Sequence, residues 1–264
     1  DLCLVGSEMC IRDSNYTGDK KSDDWISFEV YLKRLWFSNG IHHHYSNDKI
    51  NPEFELNYLT QILSSTNTII SDDALDVIFN DLDSKKVNIA KGIDNVLLSA
   101  VNFYGPNVTS KDVYDFYSKV KSPDPLKPLS HGLNSRLVKE NGIILEQVYK
   151  SGGLYGSAID EIIKWLELAL GVAENKPQGD ALSLLISYYK TGDLQTWDDY
   201  NVAWTSATDG NIDYINSFIE VYNDPLGYRG SYENIVQIKD FDMSAKMAVL
   251  CLLYTSDAAD DGTG

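Results

Sequence analysis

The chain has 264 residues, with 22 Lys and Arg against 39 Asp and Glu, a formal net charge of −17. So acidic a surface repels nucleic-acid phosphates and anionic lipid, and it attracts cationic ligands such as peptide amino termini. No apolar run approaches the ~20 residues a bilayer-spanning helix needs, so a helical membrane span is excluded.

Apolar residues at helical spacing predict helices over Asp24–Phe37, Glu53–Leu63, Ala74–Phe79, Ile93–Asn102 and Lys111–Lys119. Three adjacent histidines, His42, His43 and His44, fall in a loop after the first of these. Neighbours on a helix diverge by about 100°, so all three cannot face one ion, and no histidine is followed by the glutamate of an HExxH pattern. They are read as stacking and hydrogen-bonding groups, with no metal ligand assigned. Ser122–Pro128, rich in proline, reads as a surface loop.

Asn141-Gly142, flanked by Arg136–Lys139 and Ile143–Tyr149, is the favoured pair for a type I′ turn, so a β-hairpin is expected there, with unpaired edges. Ser157 and Asp160 predict a capping box for a helix whose apolar face is Ile159, Ile162, Ile163, Leu166 and Leu170. Further helices are expected over Gln178–Lys190, ending at Thr191-Gly192, and over Leu194–Trp204. Ile212, Ile215, Ile219 and Tyr222 then predict another helix, stopping near Asn223 before Asp224-Pro225. On it, Asp213, Asn216 and Glu220 would form one polar stripe. Gly227 and Gly230 permit a tight turn, and Glu233–Ile238 reads as a strand. The expected class is α+β, mostly helical, with a small hairpin or partial barrel.

The ends read differently. Met9–Ser14 (MCIRDS) can be encoded so that the reverse complement encodes CLLYT, which is Cys251–Thr255. Such an inverted repeat is expected of translated sequencing adapters, so residues 1–14 and 251–264 are read as adapter-derived and 15–250 as an internal piece of a longer gene. Cys3, Cys10 and Cys251 all lie in those ends, which leaves residues 15–250 without cysteine and with a net charge of −12, six acids and one base being set aside. Neither disulfides nor thiolate metal sites are then expected, and cytoplasm and periplasm both stay open.

SFIEVYNDPLGYRGSYE (Ser217–Glu233) followed by MSAK (Met243–Lys246) resembles the dipeptidyl peptidase III family, whose pattern there is FIExYxDPxGxRGxxE and then MSAK. Further blocks that resemble the family are WFSNGIHHHYSNDKINP (Trp36–Pro52), NFYGPNVT (Asn102–Thr109) and LNSRLVKENG (Leu133–Gly142). GGLYGSAIDEII (Gly152–Ile163), AENKPQGDAL (Ala173–Leu182) and YYKTGDLQTWDDYNVAW (Tyr188–Trp204) continue the match. The resemblance implies a two-lobed zinc exopeptidase that releases dipeptides from the amino termini of short peptides, with residues 15–250 supplying mainly the barrel-containing lobe.

In the family, zinc sits on an HExxGH helix with a further glutamate, and the motif glutamate activates the attacking water. This chain has no HExxGH, so no catalytic residue and no metal ligand is assigned in it, and the chain alone is expected to be inactive. The resemblance places Asp213 at an acidic position that helps bind the substrate's free amino terminus through a charge-assisted hydrogen bond. Family members often carry the longer glutamate there. Tyr45 matches an aromatic lining a substrate subsite, and Asn216 shares the expected stripe with Asp213. Ordinary roles as a helix-surface acid and a packing aromatic stay open for Asp213 and Tyr45. A non-catalytic acidic helical module that binds basic peptides, or a pure scaffold lobe, are the competing readings. Oligomeric state is not legible.

Overall fold

The computed structural model describes residues 16–80, 85–120 and 124–260, with side chains described as far as 253. The adapter reading of residues 1–14 lies outside the described residues. The chain divides into two units, Asp1–Val101 and Asn102–Gly264. It mixes helices with small antiparallel sheets, as the α+β expectation required. Among the described residues no helix is long and apolar enough to cross a membrane.

The first unit contains α1 (Asp23–Ser38), α2 (Leu56–Ser65) and α3 (Asp72–Phe79). Ser22 and Ser71 cap α1 and α3, accepting the backbone N–H of Trp25 and Ala74, and acids in both first turns oppose the positive end of the helix dipole. The apolar faces meet around Tyr31, Ile50, Phe54 and Leu59. Phe54 presents edges to Phe28 and Tyr31, each with ring centroids 5.5 Å apart. The predicted helix Ile93–Asn102 does not form. Asp94 Oδ1 instead accepts the N–H groups of Val96 and Leu97, both at 3.1 Å, and this side-chain turn outcompetes helix continuation.

In the second unit α4 (Ser110–Tyr117) opens on a true capping box, Thr109 with Asp112. Asp112 also accepts Lys139 Nζ at 2.9 Å. Burial raises its pKa, but hydrogen bonds from Lys139 and Thr109 outweigh that and lower it from 3.8 to about 2. The folded value is depressed, so the stabilisation is complete above the ordinary value of 3.8 and is lost as pH falls towards about 2. Asp112→Asn should therefore lower stability at neutrality, change little near pH 2, and so flatten the acid limb of the stability curve below about pH 4, as read from urea midpoints against pH.

Strands β1 (Ser135–Glu140) and β2 (Ile143–Val148) form the expected hairpin, with Asn141 at φ 50° and Gly142 at φ 80°, as a type I′ turn demands. Its outer edge is not wholly unpaired. Gly105 N–H donates to Leu137 O at 2.7 Å, and Leu137 N–H donates to Phe103 O at 3.1 Å. Helix α5 (Gly156–Leu170) follows Tyr155, which is left-handed at φ 60° and makes no side-chain cap. The predicted Ser157–Asp160 capping box is absent. Asp160 accepts Ser151 Oγ at 2.5 Å instead.

Helix α6 (Lys176–Thr191) is capped by Asn175 and stopped by Gly192 at φ 72°, close to the expected bounds, and α7 (Leu194–Ser206) is capped by Asp193. These three helices bury Ile159, Ile163, Leu182, Leu185, Tyr188, Tyr189, Trp197 and Tyr200 in one core that Phe218 joins.

Residues Ile212–Glu220 form a strand, β3, and not the predicted helix. It pairs antiparallel with β4 (Ser231–Ile238), close to the strand expected at Glu233–Ile238. Isoleucines at three- and four-residue steps satisfy a helical period, but Tyr214, Asn216 and Phe218 also alternate. β-Branched and aromatic residues suit a pleated surface, and pairing with β4 decides between the two. Helix α8 (Phe241–Asp260) begins where Asp240 accepts Met243 N–H at 2.9 Å.

Candidate peptide-binding strand

The DPLGYRG block that follows β3 is a fastening. Asp224, 5% exposed, accepts the Tyr104 hydroxyl at 2.9 Å on both oxygens, together with the N–H groups of Leu226 (3.1 Å), Tyr228 (2.8 Å) and Arg229 (2.9 Å). One carboxylate thereby folds the whole loop, and Gly227 turns it at φ 73°. Arg229 is fully buried. Its guanidinium donates to Gly132 O at 3.0 Å, Ser135 O at 3.3 Å and Ser135 Oγ, and lies 3.5 Å from Glu146.

The Arg229 guanidinium also stacks over the rings of Tyr104 and Tyr117, 5.5 and 5.1 Å from their centroids. Burial opposes its charge, yet Tyr117, Tyr104 and Glu146 together hold it more firmly protonated than usual. Burial, reinforced by the Asp224 charge, pushes the Tyr104 hydroxyl up and keeps it a neutral donor. A methyl group on Gly230 would sit 2.8 Å from the Phe218 backbone carbon, so only glycine lets the loop return so close to β3.

The start of β3 is held from the other side. Glu174 accepts Asn211 N–H at 2.9 Å and Ile212 N–H at 3.1 Å, and Gln178 Nε2 donates to Ile212 O at 3.2 Å. These backbone hydrogen bonds lower the Glu174 pKa. β3 is thus pinned at both ends.

Along it, strand alternation splits the stripe expected of a helix: Asp213 lies on one face and Asn216 on the other. Asp213 is exposed, and its Oδ1 accepts Trp204 Nε1 at 3.1 Å and Tyr214 N–H at 2.8 Å. Its Oδ2 has no hydrogen-bond partner among the described residues, so one oxygen is anchored and the other is uncommitted. Asn216 is committed within the fold: Oδ1 accepts the Tyr189 hydroxyl at 2.6 Å, and Nδ2 donates to Tyr232 Oη and Asn234 Oδ1, each at 3.0 Å.

Tyr45 belongs to the first unit and is 77% exposed. Its ring meets His44 edge-on at 4.9 Å, and His43 Nδ1 accepts the Tyr45 and Ser46 N–H groups, so this histidine acts as a turn cap. Sequence reasoning missed Trp204 as the partner of Asp213, because nothing local announces a contact nine residues away. It also missed an open groove of about 930 Å³ against Ile219 and Val221, lined by Tyr114, Tyr117, His131, Trp197 and Tyr228, which come from separate segments.

The model of Peptidase family M49 matches residues 130–253, from the β1–β2 hairpin through the DPLGYRG fastening into α8. Dipeptidyl peptidase 3 of Nematostella vectensis is 31% identical over 98 residues, covering 37% of this chain and 13% of that protein. The Homo sapiens protein of the same name is 30% identical over 94 residues, 36% of this chain and 13% of that one. That of Dictyostelium discoideum is 25% identical over 219 residues, 69% of this chain and 30% of that one. The structure of DPP III from Caldithrix abyssi shares the fold at a TM-score of 0.54 and 16% identity, over 93% of this chain and 37% of that one. The chain therefore spans less than a third of the length of the curated relatives it matches. The family-model match over the segment that carries the hairpin, β3 and the DPLGYRG fastening, together with the dipeptidyl peptidase 3 relatives, supports the dipeptidyl peptidase III family, peptidase family M49, for this chain.

Proposed function

We propose that this chain is part of a longer zinc-dependent dipeptidyl peptidase acting on the free amino termini of short peptides, and that it contributes peptide-binding wall rather than the metal. Residues 15–250 supply mainly the barrel-bearing lobe. The observation that carries the reading is the family match across β3 and its fastening. In this reading Asp213 Oδ2 accepts the substrate ammonium while Trp204 holds Oδ1, Asn216 secures the strand behind it, and Tyr45 lines a subsite through its exposed ring.

Zinc supplies a polarised, activated water to peptidases of this kind. The residues present here do not fit it: among the described residues no three His, Cys, Asp or Glu side chains gather, and the sequence has no HExxGH. No step is therefore routed through metal on this chain. The purified 264-residue chain, given a dipeptidyl arylamide and zinc, should release no more arylamine than zinc alone. Zinc-dependent release by the chain would overturn this division of labour.

A further inference from the structure

We propose that Tyr189, buried on α6, is a positioning residue that locks the register of the β3–β4 ribbon through Asn216 and so decides which face presents Asp213. The peptide-binding consequence rests on the function proposed above, whereas the register lock stands on geometry alone. In the ribbon the pairs Ile212↔Ile238, Tyr214↔Val236 and Ile215↔Ile235 set apolar groups opposite one another, and such pairs discriminate poorly between neighbouring registers. A slip of one residue would carry every side chain of β3 to the other face, Asp213 included.

Asn216 opposes this. Its amide uses both donors and accepts at Oδ1, towards Tyr232, Asn234 and Tyr189 respectively, so its orientation is fixed. It is the one β3 side chain, among the described residues, that hydrogen-bonds side chains of β4. Tyr189 is fully buried, and its hydroxyl also approaches Asn216 O at 3.3 Å. After a slip Asn216 would face away, leaving that hydroxyl buried and unpaired, which is far more costly than never having had the bond. Helix α6 thus senses the register of the ribbon through one hydroxyl.

The test is NMR on the whole chain, comparing cross-strand contacts and amide exchange in β3 for the parent, Tyr189→Phe and Asn216→Leu. Tyr189→Phe should weaken the Asp213–Gln237 and Ile215–Ile235 contacts and speed β3 amide exchange about tenfold, with α5–α7 exchange unchanged. Asn234→Ala, at an exposed edge, probes the same lock should a buried variant fail to fold, and should also speed exchange. Affinity for a tetrapeptide with a free amino terminus should fall about tenfold in Tyr189→Phe, while that of its N-acetylated form does not change. Parental contacts and exchange rates in Tyr189→Phe and Asn234→Ala would overturn the lock. If Asp213→Asn leaves peptide binding untouched, the assignment of Asp213 fails, and the register readout still decides the lock.

Discussion

Arg229→Met should destabilise the second unit by about 3 kcal/mol and lower its melting temperature by about 10 °C. Methionine fills the space but takes the guanidinium donor from Gly132 O, Ser135 O and Ser135 Oγ, and it removes the charge that Tyr104 and Tyr117 sandwich. Arg229→Lys should recover only part of the loss, because an ammonium keeps the charge but cannot lay a planar guanidinium over the Tyr104 and Tyr117 rings. Chemical denaturation followed by the near-ultraviolet tyrosine signal of Tyr104 and Tyr117 reads both variants. If the guanidinium merely fills space, methionine and lysine will cost the same.

Asp213→Asn should weaken binding of a free-amine peptide about tenfold or more, the usual worth of a hydrogen bond to a charged group. Its melting temperature should stay within about 1 °C of the parent's, because the side chain is exposed and the asparagine oxygen still accepts Trp204 Nε1. Asp213→Glu restores the longer acid common in the resemblance pattern and should bind at least as tightly as the parent. Titration calorimetry of the three proteins with one tetrapeptide checks the ordering. Equal affinities throughout would remove Asp213 from the binding surface.

What could be read from the chain was local. Thr191-Gly192 ends α6 through a hydrogen bond to Tyr188 O in the last turn, and Asn141-Gly142 sets its hairpin through its own backbone angles. Two errors are local as well, since Asp94 turns the chain back where a helix is expected at Ile93–Asn102 and Asp160 takes Ser151 in place of a capping box, but the largest lies where a distant partner decides. β3 satisfies a helical and an alternating pattern at once, and β4 settles the conflict from beyond the DPLGYRG loop. The block itself was recognisable, yet its physical meaning was hidden, since Arg229 reaches Gly132 across 97 positions of sequence. The resemblance marks Asp213 by its place ahead of the FIE triplet. Its anchoring by Trp204 and its separation from Asn216 needed the strand.

The most direct measurement of the central claim is calorimetric titration of the 264-residue chain at pH 7 with a neutral tetrapeptide and with the same peptide acetylated at its amino terminus. The free amine should bind, and acetylation should weaken it by at least about tenfold through loss of the ammonium proposed to meet Asp213 Oδ2. Indistinguishable affinity for the two peptides would contradict a strand built to hold a peptide's amino terminus.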